Sequence, residues 1–185
     1  MKKRITWIYF ILILLSPSLI FAQKKTFFSL GGEIAFPAGN YMEVGSTGVG
    51  GLISLEHVWS AHVSGIVTLE YIGFNTNEIN QDFTEKFSAL PVQFGVKYYT
   101  AEKAGNPQGL YFSGGLGFLV EFNTTNIGAY PYHNTYHDTD LGFSDWVGAG
   151  YQLGIVDLGF RFQNFLSSNS GATFFYNFKV AVRIF

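Results

Sequence analysis

The chain of 185 residues contains no cysteine, and only 13% of its residues are charged. Without cysteine there is no disulfide scaffold, no thiol chemistry and no lipid-modified N-terminal cysteine. Three of the eleven basic residues lie at positions 2–4, which leaves eight against thirteen acidic residues in the rest of the chain. This balance excludes a basic surface for nucleic acid. Beyond residue 22 no apolar stretch reaches the roughly 20 residues that a transmembrane helix needs.

The first 22 residues have the pattern of a secretory signal peptide. Basic residues at positions 2–4 precede an apolar run at 5–15, and Ala22 offers a small residue for cleavage. The apolar run is too short for a transmembrane anchor. We therefore expect residues 1–22 to be removed and residues 23–185 to form one domain.

Alternation of apolar and polar residues is abundant in the rest of the chain. The segment 173–185 reads TFFYNFKVAVRIF, with Phe178 and Val180 on one parity and Lys179 and Arg183 on the other. A strict period of two predicts a strand with one apolar and one polar face. The same pattern predicts eight strands, at Thr26–Phe36, Val49–Trp59, His62–Ile72, Phe87–Tyr99, Leu110–Phe122, Phe143–Ile155, Leu158–Phe165 and Phe174–Ile184.

The length of these strands and the glycine on their polar face favour a membrane barrel. Alternation alone also fits a secreted sandwich or a lipocalin-like barrel. The strands, however, are close to the roughly 9–11 residues that a tilted membrane strand needs. Short connections alternate with longer ones, as in outer-membrane barrels. We predict an all-β, eight-stranded antiparallel up-and-down transmembrane β-barrel. Its external loops include Gly73–Lys86 and Asn123–Gly142, and its apolar face is free of charge and contacts lipid.

The segment from Leu30 to Tyr41 reads LGGEIAFPAGNY. It resembles the first strand and loop of the family known as outer membrane protein beta-barrel domain, which also resembles PorT. The whole pattern is similar to the small barrels OmpX and the transmembrane domain of OmpA. The resemblance implies a Gram-negative outer membrane, with membrane lipid around the barrel and the barrel-assembly machinery as a partner during insertion. Phe185 resembles the terminal aromatic of the assembly signal that this machinery reads. No cofactor is implied.

The polar face of the predicted strands carries eight charged residues. They are Glu33, Glu56, Glu70, Lys97, Glu121, Arg161, Lys179 and Arg183. An eight-stranded barrel is just wide enough for its own side chains, so charges inside it must pair. We predict a charge network that fills and closes the lumen. The competing hypothesis is a pathway for ions, small solutes or a hydrophobic ligand.

Two further groups of residues suggest specific chemistry. The first group could bind a divalent metal and consists of His133, His137, Asp138 and Asp140. The same stretch is also suited to be a polar, aromatic contact loop. In the second group, His62, Ser64 and Glu70 are the residue types of the triad in outer-membrane lipid A deacylases. Parity places His62 and Ser64 on the inner face, where they would line the lumen and face no lipid.

The sequence thus predicts a non-enzymatic, integral outer-membrane barrel with a side-chain-filled lumen. Its role would be structural, or contact with an extracellular protein or surface through the external loops. The alternatives are a channel or binding barrel for a small solute or hydrophobic ligand and, third, an outer-membrane lipid-modifying enzyme.

Overall fold

The computed structural model describes residues 26–38, 45–76, 83–103, 106–127, 134–167 and 171–184. All eight predicted strands are present in it. They are β1 (Thr26–Ala38), β2 (Gly45–Val58), β3 (Val63–Thr76), β4 (Phe83–Lys103), β5 (Asn106–Ile127), β6 (Asn134–Leu153), β7 (Val156–Ser167) and β8 (Gly171–Arg183). The predicted signal peptide, His133 and Phe185 lie outside the described residues. Among the described residues, no helix has the length and apolar character to cross a membrane.

The eight strands form a closed ring in chain order, and every neighbouring pair is antiparallel. The ring closes where β1 pairs with β8, for example at Ile34 and Phe178. The predicted fold class is therefore confirmed. Following register partners from Ile34 across β2, β3, β4 and β5 leads to Thr139 on β6. Following them in the other direction, across β8 and β7, leads to Ala149 on β6. This stagger of ten residues on one strand means that the strands tilt, which a closed barrel requires.

Strands β4, β5 and β6 are longer than predicted. They contain 21, 22 and 20 residues, whereas the other strands contain 12 to 14. The segment Asn123–Gly142, predicted as a loop, is largely the end of a β5–β6 ladder that continues to Ile127 and Asn134. The prediction was wrong there because the ladder needs only backbone hydrogen bonds. Outside the apolar belt, a strand does not require apolar and polar side chains to alternate, so the period of two that predicts a strand is missing there.

The outer face of the barrel is apolar and the inner face is polar. Large exposed side chains include Leu69, Phe94 and Val180, whereas Glu70, Gln93 and Lys179 beside them in sequence are buried. Because successive side chains of a strand point to opposite faces, this arrangement follows directly from the alternation. A soluble β-protein has the opposite arrangement, with its apolar face packed inside.

Within the predicted strands, one described residue contradicts the prediction that the outer face carries no charge. Asp145 on β6 is exposed on that face, between the exposed side chains of Phe143 and Val147. Its parity is the same as theirs, so the pleat of a continuous strand places it outward regardless of its charge.

Phe94 and Tyr98 offer a test of which part of the outer face lies in the membrane. Both side chains point outward from β4, and Tyr98 lies closer to the β4–β5 turn. An arginine on a lipid-facing strand costs about 2–4 kcal/mol at the bilayer centre and about 0–1 kcal/mol near its edge. We therefore expect Phe94→Arg to lower the free energy of unfolding in lipid vesicles much more than Tyr98→Arg. Equal losses for the two variants would contradict a lipid-facing belt centred on Phe94.

Candidate functional site

The lumen is the part of the barrel where functional side chains gather, and it is filled in three layers. Strand β7 passes through all of them, with Asp157 nearest the β6–β7 turn, then Arg161, then Phe165. Each of these side chains is buried. We call the layer around Asp157 the lower cluster, the layer around Arg161 the middle cluster, and the layer around Phe165 the apolar layer.

Lys97 and Asp157 form the centre of the lower cluster. The Lys97 Nζ atom donates to Asp157 Oδ2 at 2.8 Å and to Glu56 Oε2 at 3.1 Å. Lys179 also donates to Asp157 Oδ2, at 3.2 Å, and the Tyr111 hydroxyl donates to Asp157 Oδ1 at 2.5 Å. Asp157 thus holds two ammonium groups from different strands, so that neither is buried without a counter-charge.

Glu56 connects the same cluster to the strand that closes the ring. Its carboxylate accepts hydrogen bonds from Tyr99 Oη and Ser64 Oγ, both at 2.7 Å. Arg183 of β8 donates to Glu56 Oε2 at 3.1 Å and to Tyr99 Oη at 3.0 Å. Each charged group therefore has several partners, which is the condition for burying charge at an acceptable free-energy cost.

The middle cluster is built around one guanidinium group. Arg161 Nη1 donates to Glu70 Oε1 at 2.5 Å, and Arg161 Nη2 donates to Glu33 Oε2 at 2.6 Å. Asn177 donates to Gln163 Oε1 at 2.5 Å, and this pair lies beside the two carboxylates. The planar guanidinium can bind two carboxylates at once, which a lysine ammonium does less well.

The apolar layer lies beyond the middle cluster, on the side away from the β6–β7 turn. Its members are Ala35, Ile72, Phe74, Phe87, Ala89, Leu119, Phe165 and Phe175. The ring of Phe74 lies 4.9 Å from that of Phe175, which in turn lies 5.0 Å from that of Phe165. These inward aromatic side chains close the lumen between the charged clusters and the far end of the barrel.

Seven of the eight charged residues proposed from the sequence lie in the two clusters. Glu121 is also buried, but it faces inward beside Ala89 and Asp140, at the level of the apolar layer. Asp157 was missed because the β6–β7 turn was placed at residues 156–157. The turn is at Gly154 and Ile155, where Gly154 has a positive φ of 59°. Extending the parity of Arg161 back along β7 would have found Asp157.

The structure does not assemble the two other groups of residues suggested by the sequence. His62 is exposed at a turn and bonds to the Tyr99 carbonyl, whereas Ser64 is buried and donates to Glu56. The expectation that His62 and Ser64 share the inner face is therefore wrong, because His62 lies outside β3. Glu70 pairs with Arg161 in the middle cluster, so no triad forms.

Of the suggested metal ligands, His137 and Asp138 are exposed while Asp140 is buried on the inner face. His137 Nδ1 is 3.1 Å from Thr124 Oγ1, on the neighbouring strand. No group of three or more His, Asp or Glu side chains in the described part of the chain could hold a metal ion.

Comparisons with known proteins show the fold that the barrel shares with solved structures. No family model and no curated protein matches the chain. Ail, the attachment invasion locus protein of Yersinia pestis, matches with a TM-score of 0.62 at 8% identity, over 86% of this chain and 97% of Ail. The N-terminal β-barrel domain of Pseudomonas aeruginosa OprF matches with 0.53 at 11% identity, over 86% and 98%. A major outer membrane protein from Thermus thermophilus matches with 0.50 at 12% identity, over 86% and 99%.

What this chain shares with these proteins is the fold. At such low identity the comparison shows a common barrel architecture and nothing finer. The resemblance to PorT-like proteins stays a prediction.

Arg161 is the residue whose loss tests the middle cluster. Arg161→Met removes the charge that pairs Glu33 with Glu70, and leaves two buried carboxylates facing each other. We expect the free energy of unfolding to fall by about 3–5 kcal/mol. The measurement is urea unfolding of the barrel in lipid vesicles.

The matched control removes the carboxylate charges as well. Arg161→Met combined with Glu33→Gln and Glu70→Gln should recover most of the lost stability, since no uncompensated charge remains buried. If the single variant is as stable as the native chain, the cluster does not hold the lumen together.

Proposed function

We propose that this chain is an integral outer-membrane barrel that acts by contact at the cell surface, with a lumen closed to solute and no catalytic role. Its outer face supports a membrane location, because exposed apolar side chains surround a polar and charged interior. The predicted signal peptide and the fold shared with solved outer-membrane barrels support the same location.

The layers of the lumen support a closed barrel. The lower and middle clusters hold their charges in six ion pairs, all between side chains that are almost completely buried. The apolar layer adds a third barrier of packed rings. An open pore needs a water-filled path lined by polar groups, and a bias toward one sign of charge if it selects ions. The two clusters together contain four acidic and four basic side chains.

The observation that carries the proposed contact role is the extension of β4, β5 and β6. In outer-membrane barrels the longer connections face outward, which places the β5–β6 connection at the cell surface. There the ladder continues to Ile127 and Asn134, and residues 134–139 are exposed. Tyr136 is 58% exposed. A paired sheet presents such side chains in a fixed arrangement, at a smaller entropic cost of binding than a flexible loop.

The edge of this extended sheet offers a second contact feature. Pairing between β6 and β7 begins only at Gly142 and Ser167. Among the described residues, the part of β6 before Gly142 therefore has no partner on β7 and lies at the edge of the sheet. Extended segments of a partner can add to such an edge. Ail, which has this fold, is named for attachment and invasion and was also solved with the heparin analogue sucrose octasulfate. The exposed carboxylate of Asp138 on the extended end of β6 favours a basic partner over a polyanion.

A photo-crosslinking residue at position 136 tests the contact role on intact cells. We expect Tyr136 replaced by benzoylphenylalanine to crosslink a surface partner. The matched control is the same replacement of Glu102, which is exposed at the opposite end of the barrel. Equal labelling at both positions, or none at position 136, would contradict contact through the extended sheet.

Planar-bilayer recording tests the closed lumen. Because the clusters and the apolar layer fill the interior, the native barrel should show no steady conductance. A large and reproducible conductance from the native protein would favour the channel alternative.

A further inference from the structure

A polar pair interrupts the apolar outer wall of the barrel. Asp145 on β6 and Asn164 on β7 are register partners, and Asn164 Nδ2 donates to Asp145 Oδ2 at 3.1 Å. The nearest residues of the same face on β5, β6 and β7 are all apolar. They are Leu116, Phe143, Val147, Phe162 and Leu166.

The pair lies well inside the apolar belt and away from its edges. The register paths from Ile34 reach β6 at Thr139 after five strand steps and at Ala149 after three. Because all strands share one tilt, each strand step changes the height along the barrel axis by the same amount. The residue of β6 at the height of Ile34 therefore lies five-eighths of the way from Thr139 to Ala149, which is at Asp145. Ile34 is itself an exposed apolar residue between Leu30 and Phe36.

Lipid tails cannot satisfy the hydrogen-bonding groups of this pair. A carboxyl group has two acceptor oxygens, and an amide has two N–H donors and one acceptor. Their one mutual hydrogen bond leaves most of this capacity unused, and Asn164 Oδ1 has no partner among the described residues. Ionisable groups on a lipid-facing strand are expensive and mark places where something other than lipid makes contact.

We propose that the β6–β7 wall is where two copies of this chain pair within the membrane, a proposal that rests on the membrane location proposed above. Consider a two-fold axis that is parallel to the barrel axis and lies between the two copies, facing the seam of β6 and β7. It sets β6 of each copy against β7 of the other. It therefore places Asp145 of each copy near Asn164 of the other, displaced from it along the barrel axis by the strand tilt. The second N–H of each amide then donates to the facing carboxyl group. In the resulting chain of hydrogen bonds, each carboxyl group accepts from an amide of its own copy and from an amide of the other copy.

The shape of the same wall allows a close approach. Nearer the β6–β7 turn it has a recess of about 450 Å³ beside the outward-facing Ala149, flanked by Phe160 and Phe178. Small residues are enriched where membrane segments pack against each other, because they permit close van der Waals contact.

Cysteine crosslinking in isolated outer membranes tests the pairing, since the native chain has no cysteine. Val147→Cys places a thiol one outward position from Asp145, and Ile53→Cys places one on the wall formed by β1 and β2. We expect a bifunctional maleimide to give a product of twice the barrel mass from the first variant and not from the second. No product at position 147, or a product with a different protein, would overturn the pairing of two copies.

The polar pair itself is tested in the Val147→Cys background. Asp145→Leu should leave the barrel folded and lower the crosslinked fraction by about tenfold, because two symmetry-related hydrogen bonds are lost. Asp145→Asn keeps the hydrogen-bonding capacity and should retain the crosslink. Undiminished crosslinking of Asp145→Leu would overturn the role of the pair. Absence of the native protein from the outer-membrane fraction would instead contradict the proposed function.

Discussion

The structure depends on the closure of its sheet, because an open edge within the apolar belt would leave backbone N–H and C=O groups without hydrogen-bond partners. Pairing between β1 and β8 removes the last open edge within the belt. Closure with eight strands and a stagger of ten residues also sets the width of the interior, which admits side chains and little else. The filled lumen and the apolar wall both follow from this ring.

Inside so narrow a ring, the identity of each side chain is constrained by those across from it. Lys97 and Lys179 come from different strands and share one carboxylate, that of Asp157. Arg161 likewise holds Glu33 and Glu70, which lie far apart in sequence. Glycine contributes space to the same arrangement. At Gly150, a Cβ atom would collide with the Tyr111 hydroxyl that binds Asp157. The charged side chains of the two clusters thus fill the space inside the ring. Each charge has several partners, which keeps the free-energy cost of its burial low.

Outside the ring, the features suited to interaction are those that the apolar belt does not require. The extended ends of β4, β5 and β6 carry exposed polar and aromatic side chains where a membrane strand needs none. Asp145 and Asn164 place hydrogen-bonding groups where a lipid-facing strand would be more stable without them. Departures from what the fold demands are the places where function is expected, because they carry a stability cost that folding alone does not explain.

The sequence by itself determined the number of strands, their alternation and the face on which residues well inside each strand lie. That is possible because the period of two is local: it assigns Glu70 inward and Leu69 outward with no knowledge of neighbouring strands. It did not determine where pairing stops, so the ladder to Ile127 and Asn134 was predicted as a loop. Nor could it decide which charges meet, because the partners of Arg161 depend on the register around the whole ring. Only the tertiary structure brought Asp157 to Lys97 and Asp145 to Asn164, since contact between strands is decided by their relative shift and tilt.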